Sequence, residues 1–364
     1  MNASGVGGFG ICGGFLGNAG GAGASTNFEA PDGSFAKTAL VGTAGRVVDA
    51  IFGQTSGATQ IEINGFELVG GQSVAGGGGG GIAASGVDTL IQNCIIRDNV
   101  SPSAGGVGFN GFGFAGLTMI RCEVRDNQND VIAQGFPGGG GIRILNASFT
   151  RLANLVISNN HALGNGGGIL VSGDILATGM LQASNLAIFD NTAFSGGGVY
   201  ADSEGPQEWS HLTVAYNEGG FGSGMSIMNS QEGLTTITSS ILWDNENEDL
   251  WVQSPLDLGW SDIQDTFAFS GTINAMPGII SVDPAFKNPA RRNLRLRTVN
   301  GGPSPCINAG SPNALADFVD LDGDGDSMED LSLDLDEDVR QVGAFTDMGA
   351  FESSFIGDVG GPQQ

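Results

Sequence analysis

LANLVISNNHALGNGGGILV, residues 152–171, holds the unit from which the chain is built. A short apolar strand ends in Asn160, and a polar turn, a glycine run and a second apolar strand follow. The phrase recurs: LIQNCIIRDN ends at Asn99, MIRCEVRDN at Asn127, ASNLAIFDN at Asn191, WSHLTVAYN at Asn217 and ITSSILWDN at Asn245. From Asn99 onward the intervals are 28, 33, 31, 26 and 28 residues. Repeats of this length mean an array in which each unit buries its face on its neighbours.

Alternation inside the unit sets its geometry. Five residues before each Asn stand Cys94, Cys122, Leu155, Leu186, Leu212 and Ser240; three before stand Ile96, Val124, Ile157, Ile188, Val214 and Leu242. Two before stand Arg97, Arg125, Ser158, Phe189, Ala215 and Trp243. The first two rows are mostly apolar and the third is mixed, as in a strand with one buried face. Each repeat has room for two or three strands plus turns, and no helical stripe lies between them. The expected fold is all-β: a right-handed parallel β-helix, a pectate-lyase-like solenoid. Asn99, Asn127, Asn160, Asn191, Asn217 and Asn245 should then stack as a structural ladder, coils about 4.8 Å apart. The glycine runs before Ile82, Ile142, Ile169 and Val199 mark turns that need positive φ or close backbone approach.

Composition agrees. The 364 residues include 64 Gly, 13 basic and 39 acidic side chains, for a formal charge of −26. Nucleic acid and anionic membrane surfaces are poor partners for such a chain, and cations are its natural counter-species. No segment is long and apolar enough to span a membrane. Residues 1–24 lack a basic start and a continuous apolar run, so no signal peptide is visible. FGICGGFLG there reads as a strand entering a glycine turn, which points to a start that is truncated, wrongly assigned or processed. Of the four cysteines, Cys94 and Cys122 share a register on consecutive coils. Their spacing allows a disulfide, yet stacked core cysteines are commonly reduced. Cys12 and Cys306 fall at opposite ends and should not pair.

The expected division is residues 1–298 as β-helix and 299–364 as a C-terminal cap and acidic tail. Residues 276–312, rich in Pro and basic groups, are expected to cover the open end of the solenoid. Here the chain resembles a family. WSDIQD, IISVDPAFKNPARRNLRL, GGPSPCINAGSPN, DLDGDGD, Arg340 and DMGAFE resemble the C-terminal half of secreted bacterial β-helix proteins with a choice-of-anchor ending. The GGG-aliphatic and aliphatic-x-x-Asn phrases are similar to repeats of polymorphic outer-membrane adhesins. The resemblance implies export, surface display or release, with no enzyme activity as the usual case.

Three groups carry candidate chemistry. Asp320, Asp322, Asp324 and Asp326, with Gly325, match the first half of an EF-hand-like calcium loop. Leu331 stands where the bidentate Glu belongs, so Glu329, Asp330 or a water would close the site. The alternative is a solvated linker, since residues 317–338 hold eleven acids and no base. Second, Arg97, Asp98, Arg125 and Asp126, with Phe189 and Trp243, make a candidate glycan-binding face. The alternative is a solvated charge ladder with aromatics as local cover. Third, catalysis finds little support: no Gly-His-Gly segment is present, and His161 and His211 read as ordinary surface residues. The reading is an exported, non-catalytic, adhesin-like or structural protein of the bacterial surface or extracellular space. Calcium steadies its tail, and a polysaccharide or cell-surface component is its partner. The alternative is a polysaccharide lyase or glycoside hydrolase acting on an acidic polysaccharide.

Overall fold

The structure, a computed structural model, describes residues 9–12, 38–41, 47–51, 60–73, 78–130, 138–173, 180–228, 235–299, 302–313, 316–321, 326 and 329–354. Strand follows strand in parallel register from one coil to the next. Thr150–Ser158 pairs Leu117–Arg125 on one side and Leu181–Phe189 on the other. Ile142–Leu145 pairs Val107–Asn110 and Ile169–Gly173 in the same way. Among the described residues there are parallel sheets of 15, 9 and 3 strands and one antiparallel pair. This is the right-handed parallel β-helix that the repeat predicts. The first coil is already under way at Phe9–Cys12, which pairs Gln60–Asn64.

Register turns the sequence rows into columns. Leu68, Ile96, Val124, Ile157, Ile188, Val214, Leu242 and Ile263 stack inward, and each is at most 4% exposed. Cys94 and Cys122 are buried in the neighbouring column, and their thiols donate to backbone carbonyls, Cys94 to Gln92 at 3.2 Å and Cys122 to Ile120 at 3.2 Å. The side chain of Cys12 lies outside the described residues; Cys306 is free.

Two rows of left-handed residues turn the chain at each coil. Asp98, Asp126, Asn159, Asp190, Tyr216 and Asp244, one before each ladder Asn, have φ between 55° and 59°. Asn93, Arg121, Asn154, Asn185, His211 and Ser239, six before, have φ between 49° and 55°. Asn and Asp tolerate this region best, which explains their share of both rows. The glycine runs combine two requirements. Gly166 sits at φ 67°, and a Cβ on Gly168 would lie 2.6 Å from the carbonyl of Gly198 and 3.2 Å from the Asn191 amide. The run therefore supplies first the turn and then the space for the ladder.

The C-terminal segment meets expectation in part: Ile279 and Ile280 lie on the last coil at the open end, with Ile280 bridged to Asp262. Residues 284–299 and 302–307 lie along the flank of the solenoid rather than across its open end. Phe286, Leu294, Leu296, Cys306 and Ile307 bury against Ala187, Ala215 and Ile241. Small outward residues at Ala187 and Ala215 leave the room that an apolar hairpin fills. The chain then runs back toward the earlier coils, where Phe318, Leu321 and Leu331 bury against Ile120 and Ala153. It returns through Asp334 and Leu333 to Met348 and Ala350. The acidic tail thus has apolar residues enough to pack, contrary to a reading from its charge alone. The open end is left to Leu258, Ile263, Ile273, Ile279 and Ile280, which line a cavity of about 410 Å³.

Candidate functional site

The ladder is built as its constant position implies. Asn99 Nδ2 donates to Asn127 Oδ1 at 2.9 Å, Asn127 to Asn160 at 3.0 Å, and Asn160 to Asn191 at 2.9 Å. Asn191 donates to Asn217 at 3.0 Å and Asn217 to Asn245 at 2.9 Å. Each Nδ2 also donates to a carbonyl of the preceding coil, for example Asn160 to Val124 O at 2.9 Å. Each Oδ1 also accepts the backbone N–H of its neighbour, as Asn160 does from Asn127 at 3.1 Å. These buried amides therefore use all their hydrogen-bonding capacity. The ladder ends on an acid: Asn245 Nδ2 donates to Asp249 Oδ1 at 2.6 Å.

The second left-handed row docks the C-terminal segment. Arg121 donates to the carbonyl of Leu321 and pairs with Glu337 at 2.6 Å. Asn154 donates to Asp334 O at 2.6 Å and Asn185 to Leu333 O at 2.7 Å. His211 Nε2 meets Thr346 Oγ1 at 3.1 Å, and Ser239 Oγ accepts from Ser311 N at 2.9 Å. His211 is buried, not a surface residue, and burial, followed by the charge of Arg340, pushes its pKa well down. Arg340, 1% exposed, donates to the carbonyls of Asp347 at 3.0 Å and Gly349 at 2.6 Å. Its Nε lies 4.0 Å from Glu352, and burial followed by the nearby Asp347 charge raises Glu352 to about 8. Arg340 and the DMGAFE phrase thus form one buried polar latch for this lateral strap.

The arginine pair stacks as expected, on adjacent strands in register. Arg97 bonds Glu67 at 2.5 Å and also Asp98; Arg125 bonds Glu123 at 2.5 Å and Asp126 at 2.7 Å. Asn159 donates in turn to Asp126. The hydrogen bond to Glu67 raises Arg97, and that to Asp126 raises Arg125, above their ordinary values. Phe189 and Trp243 are not beside them on a free face: both are half-buried against the strap hairpin. Tyr216 is covered likewise, with Arg292 3.9 Å over its ring and paired to Asp190 at 2.8 Å.

Of the calcium motif, residues 322–325 lie outside the described residues. Asp320 takes φ 55°, Asp326 and Asp330 are exposed, and Ala316 and Asp330 bridge the two ends of the loop. Asp317, at the loop's base, accepts from Val319 N at 3.2 Å and Leu321 N at 2.6 Å. On either side of residues 322–325 the chain is pinned by Phe318, Leu321 and Leu331.

An exposed aromatic run escaped the sequence reading. Phe194 meets Phe221 at 6.1 Å between ring centres, Phe221 meets Trp251 at 5.2 Å, and Trp251 meets Phe267 at 4.6 Å and Phe269 at 5.6 Å. Its signal was partial: Phe194 and Phe221 follow their ladder Asn by three and four residues.

These features define the class, a right-handed parallel β-helix with a lateral C-terminal strap. Compared with protein-family models, curated proteins and solved structures, the chain finds no match. No helix among the described residues is long and apolar enough to cross a membrane.

Proposed function

We propose that this chain is an exported, non-catalytic β-helix protein of the bacterial surface or extracellular space, with structural or adhesive work. The observation that carries the non-catalytic reading is the state of the arginine pair. A calcium-dependent lyase needs a basic group free to take a proton. Arg97 and Arg125 are each held charged by two carboxylates, which suits a structural charge ladder and not a general base. Export and display rest on the resemblance to secreted choice-of-anchor proteins and outer-membrane adhesins. In this reading calcium binds Asp320, Asp322, Asp324 and Asp326, with Asp330 closing the loop, and steadies the strap. A polysaccharide or a cell-surface component is the partner. Protease shaving of intact producing cells tests this: accessible protein at the surface or in the medium supports it, and protein retained wholly in the cytosol overturns it.

The second reading, a polysaccharide lyase or hydrolase, draws on the reciprocal carboxylate pair. Asp249 N donates to Asp265 Oδ1 at 2.7 Å and Asp265 N to Asp249 Oδ2 at 3.2 Å, and burial lifts Asp249 to about 7. A carboxyl so raised could act as a general acid. Both oxygens of Asp249 are nevertheless engaged by N–H donors and the residue is buried, which favours the ladder terminus over an acid that reaches substrate.

A further inference from the structure

The run Phe194, Phe221, Trp251, Phe267 and Phe269 stands apart from the other aromatics. Phe189, Tyr216 and Trp243 have their cover in the strap. This run has none among the described residues: Phe194 is 65% exposed, Phe221 44%, Phe267 43% and Phe269 64%, with Trp251 as the shared floor at 9%. Contiguous exposed aromatics on a soluble fold mark an interaction surface.

Its shape and charge narrow the partner. Phe194, Phe221 and Trp251 come from successive coils and Phe267 with Phe269 from the next, so the rings follow the solenoid axis at separations of 4.6–6.1 Å, close to the coil spacing. A protein contact favours a compact patch from whose core charge is depleted. Here the turns that carry the rings also carry acids. Glu218 and Glu246 are exposed one residue after Asn217 and Asn245, and the Glu248 carboxylate accepts from Gly222 N at 3.2 Å, next to Phe221. From residue 152 to 286 the sequence contains no Lys or Arg. On the strap hairpin, Arg292 pairs with Asp190 and Arg295 with Asp336. An acidic polymer would be repelled along this whole line. Aromatic faces stack on the C–H faces of sugar rings, while carboxylates at the rim accept from hydroxyls.

We propose that this aromatic line is a binding site for an extended neutral polysaccharide, one sugar ring per coil. The site rests on the glycan-binding part of the proposed function and moves it away from the arginine face. The full chain is titrated by calorimetry and tryptophan fluorescence with neutral hexasaccharides of β-1,4-linked glucose, xylose and mannose. A galacturonate hexamer and a glucosamine hexamer serve as charged comparisons. The variants are Phe194→Ala with Phe221→Ala, Phe269→Ala alone, and Arg97→Ala with Arg125→Ala. The rings removed are exposed, so folding should survive, which circular dichroism verifies.

The expected result is binding of a neutral hexamer that the paired Phe variant weakens by about tenfold or more and the Arg variant leaves unchanged. Neutral binding that the Phe variants leave intact overturns this site while leaving glycan binding standing. Preference for galacturonate, lost in the Arg variant, returns the site to the arginine face. Preference for the glucosamine hexamer assigns the line to a cationic partner. No binding of any hexamer overturns the proposal, and self-association abolished by the Phe variants would assign the line to a second copy of the chain.

Discussion

Asn245 donates its side-chain amide to the buried carboxylate of Asp249 at 2.6 Å, so a ladder of neutral amides ends on a titratable acid. Burial lifts Asp249 to about 7 and Asp262 to about 6, and burial together with the nearby Asp347 lifts Glu352 to about 8. Unfolded carboxyls titrate near 4. The folded chain therefore holds these protons more tightly than the unfolded chain, and their contribution is greatest near pH 4 and falls as pH rises through 6 to 8. The thermal midpoint should be several degrees higher near pH 5 than near pH 8, and Asp249→Asn should flatten part of that slope. A midpoint that climbs steadily from pH 5 to 8 would contradict the assignment.

Removing one rung should be costly. Asn160 makes bonds to Asn191, Val124 and Asn127, all buried. Asn160→Ala leaves at least two polar groups unpaired, at about 1–3 kcal/mol each, so a loss of roughly 3–5 kcal/mol is expected in denaturant titration. A loss below about 1 kcal/mol would mean that water replaces the amide.

The strap should come away as a unit. Arg340→Met keeps side-chain bulk but removes the donor to the carbonyls of Asp347 and Gly349, at about 1–3 kcal/mol for each buried group left unpaired. Limited proteolysis should then cut first between residues 302 and 354, with the coils left whole. First cuts within the Asn160 coil would place the weak point elsewhere.

How far the sequence carried follows from spacing. The ladder and the inward columns recur at constant offsets, so their stacking was legible residue by residue. The strap was not, because its partners recur once: Arg121 meets Leu321 200 positions away. Yet its dock has a periodic signature, since Asn93, Arg121, Asn154, Asn185, His211 and Ser239 all stand six before a ladder Asn. The aromatic line was hidden because turns of different length bring its rings together from unequal offsets. The Phe189 and Trp243 rows were read correctly as outward, but outward did not mean exposed once the hairpin was laid on them.

Calcium should act on the strap. Isothermal titration is expected to show one ion per chain, abolished by Asp322→Ala with Asp324→Ala, and calcium should protect the segment after Asn313 from protease. Because Phe318, Leu321 and Leu331 pack on Ile120 and Ala153, the protection should extend to that flank of the solenoid. No heat of binding, with an unchanged protease pattern in the variant, would mean that the strap packs without the ion.

Product formation is the decisive measurement for a non-catalytic arginine face. The purified chain is incubated with polygalacturonate, alginate and other acidic polysaccharides in the presence of calcium, and unsaturated and reducing ends are followed together. No new ends are expected above the protein-free blank. New ends that disappear in the Arg97→Ala, Arg125→Ala variant would contradict this and make the chain a polysaccharide-cleaving enzyme.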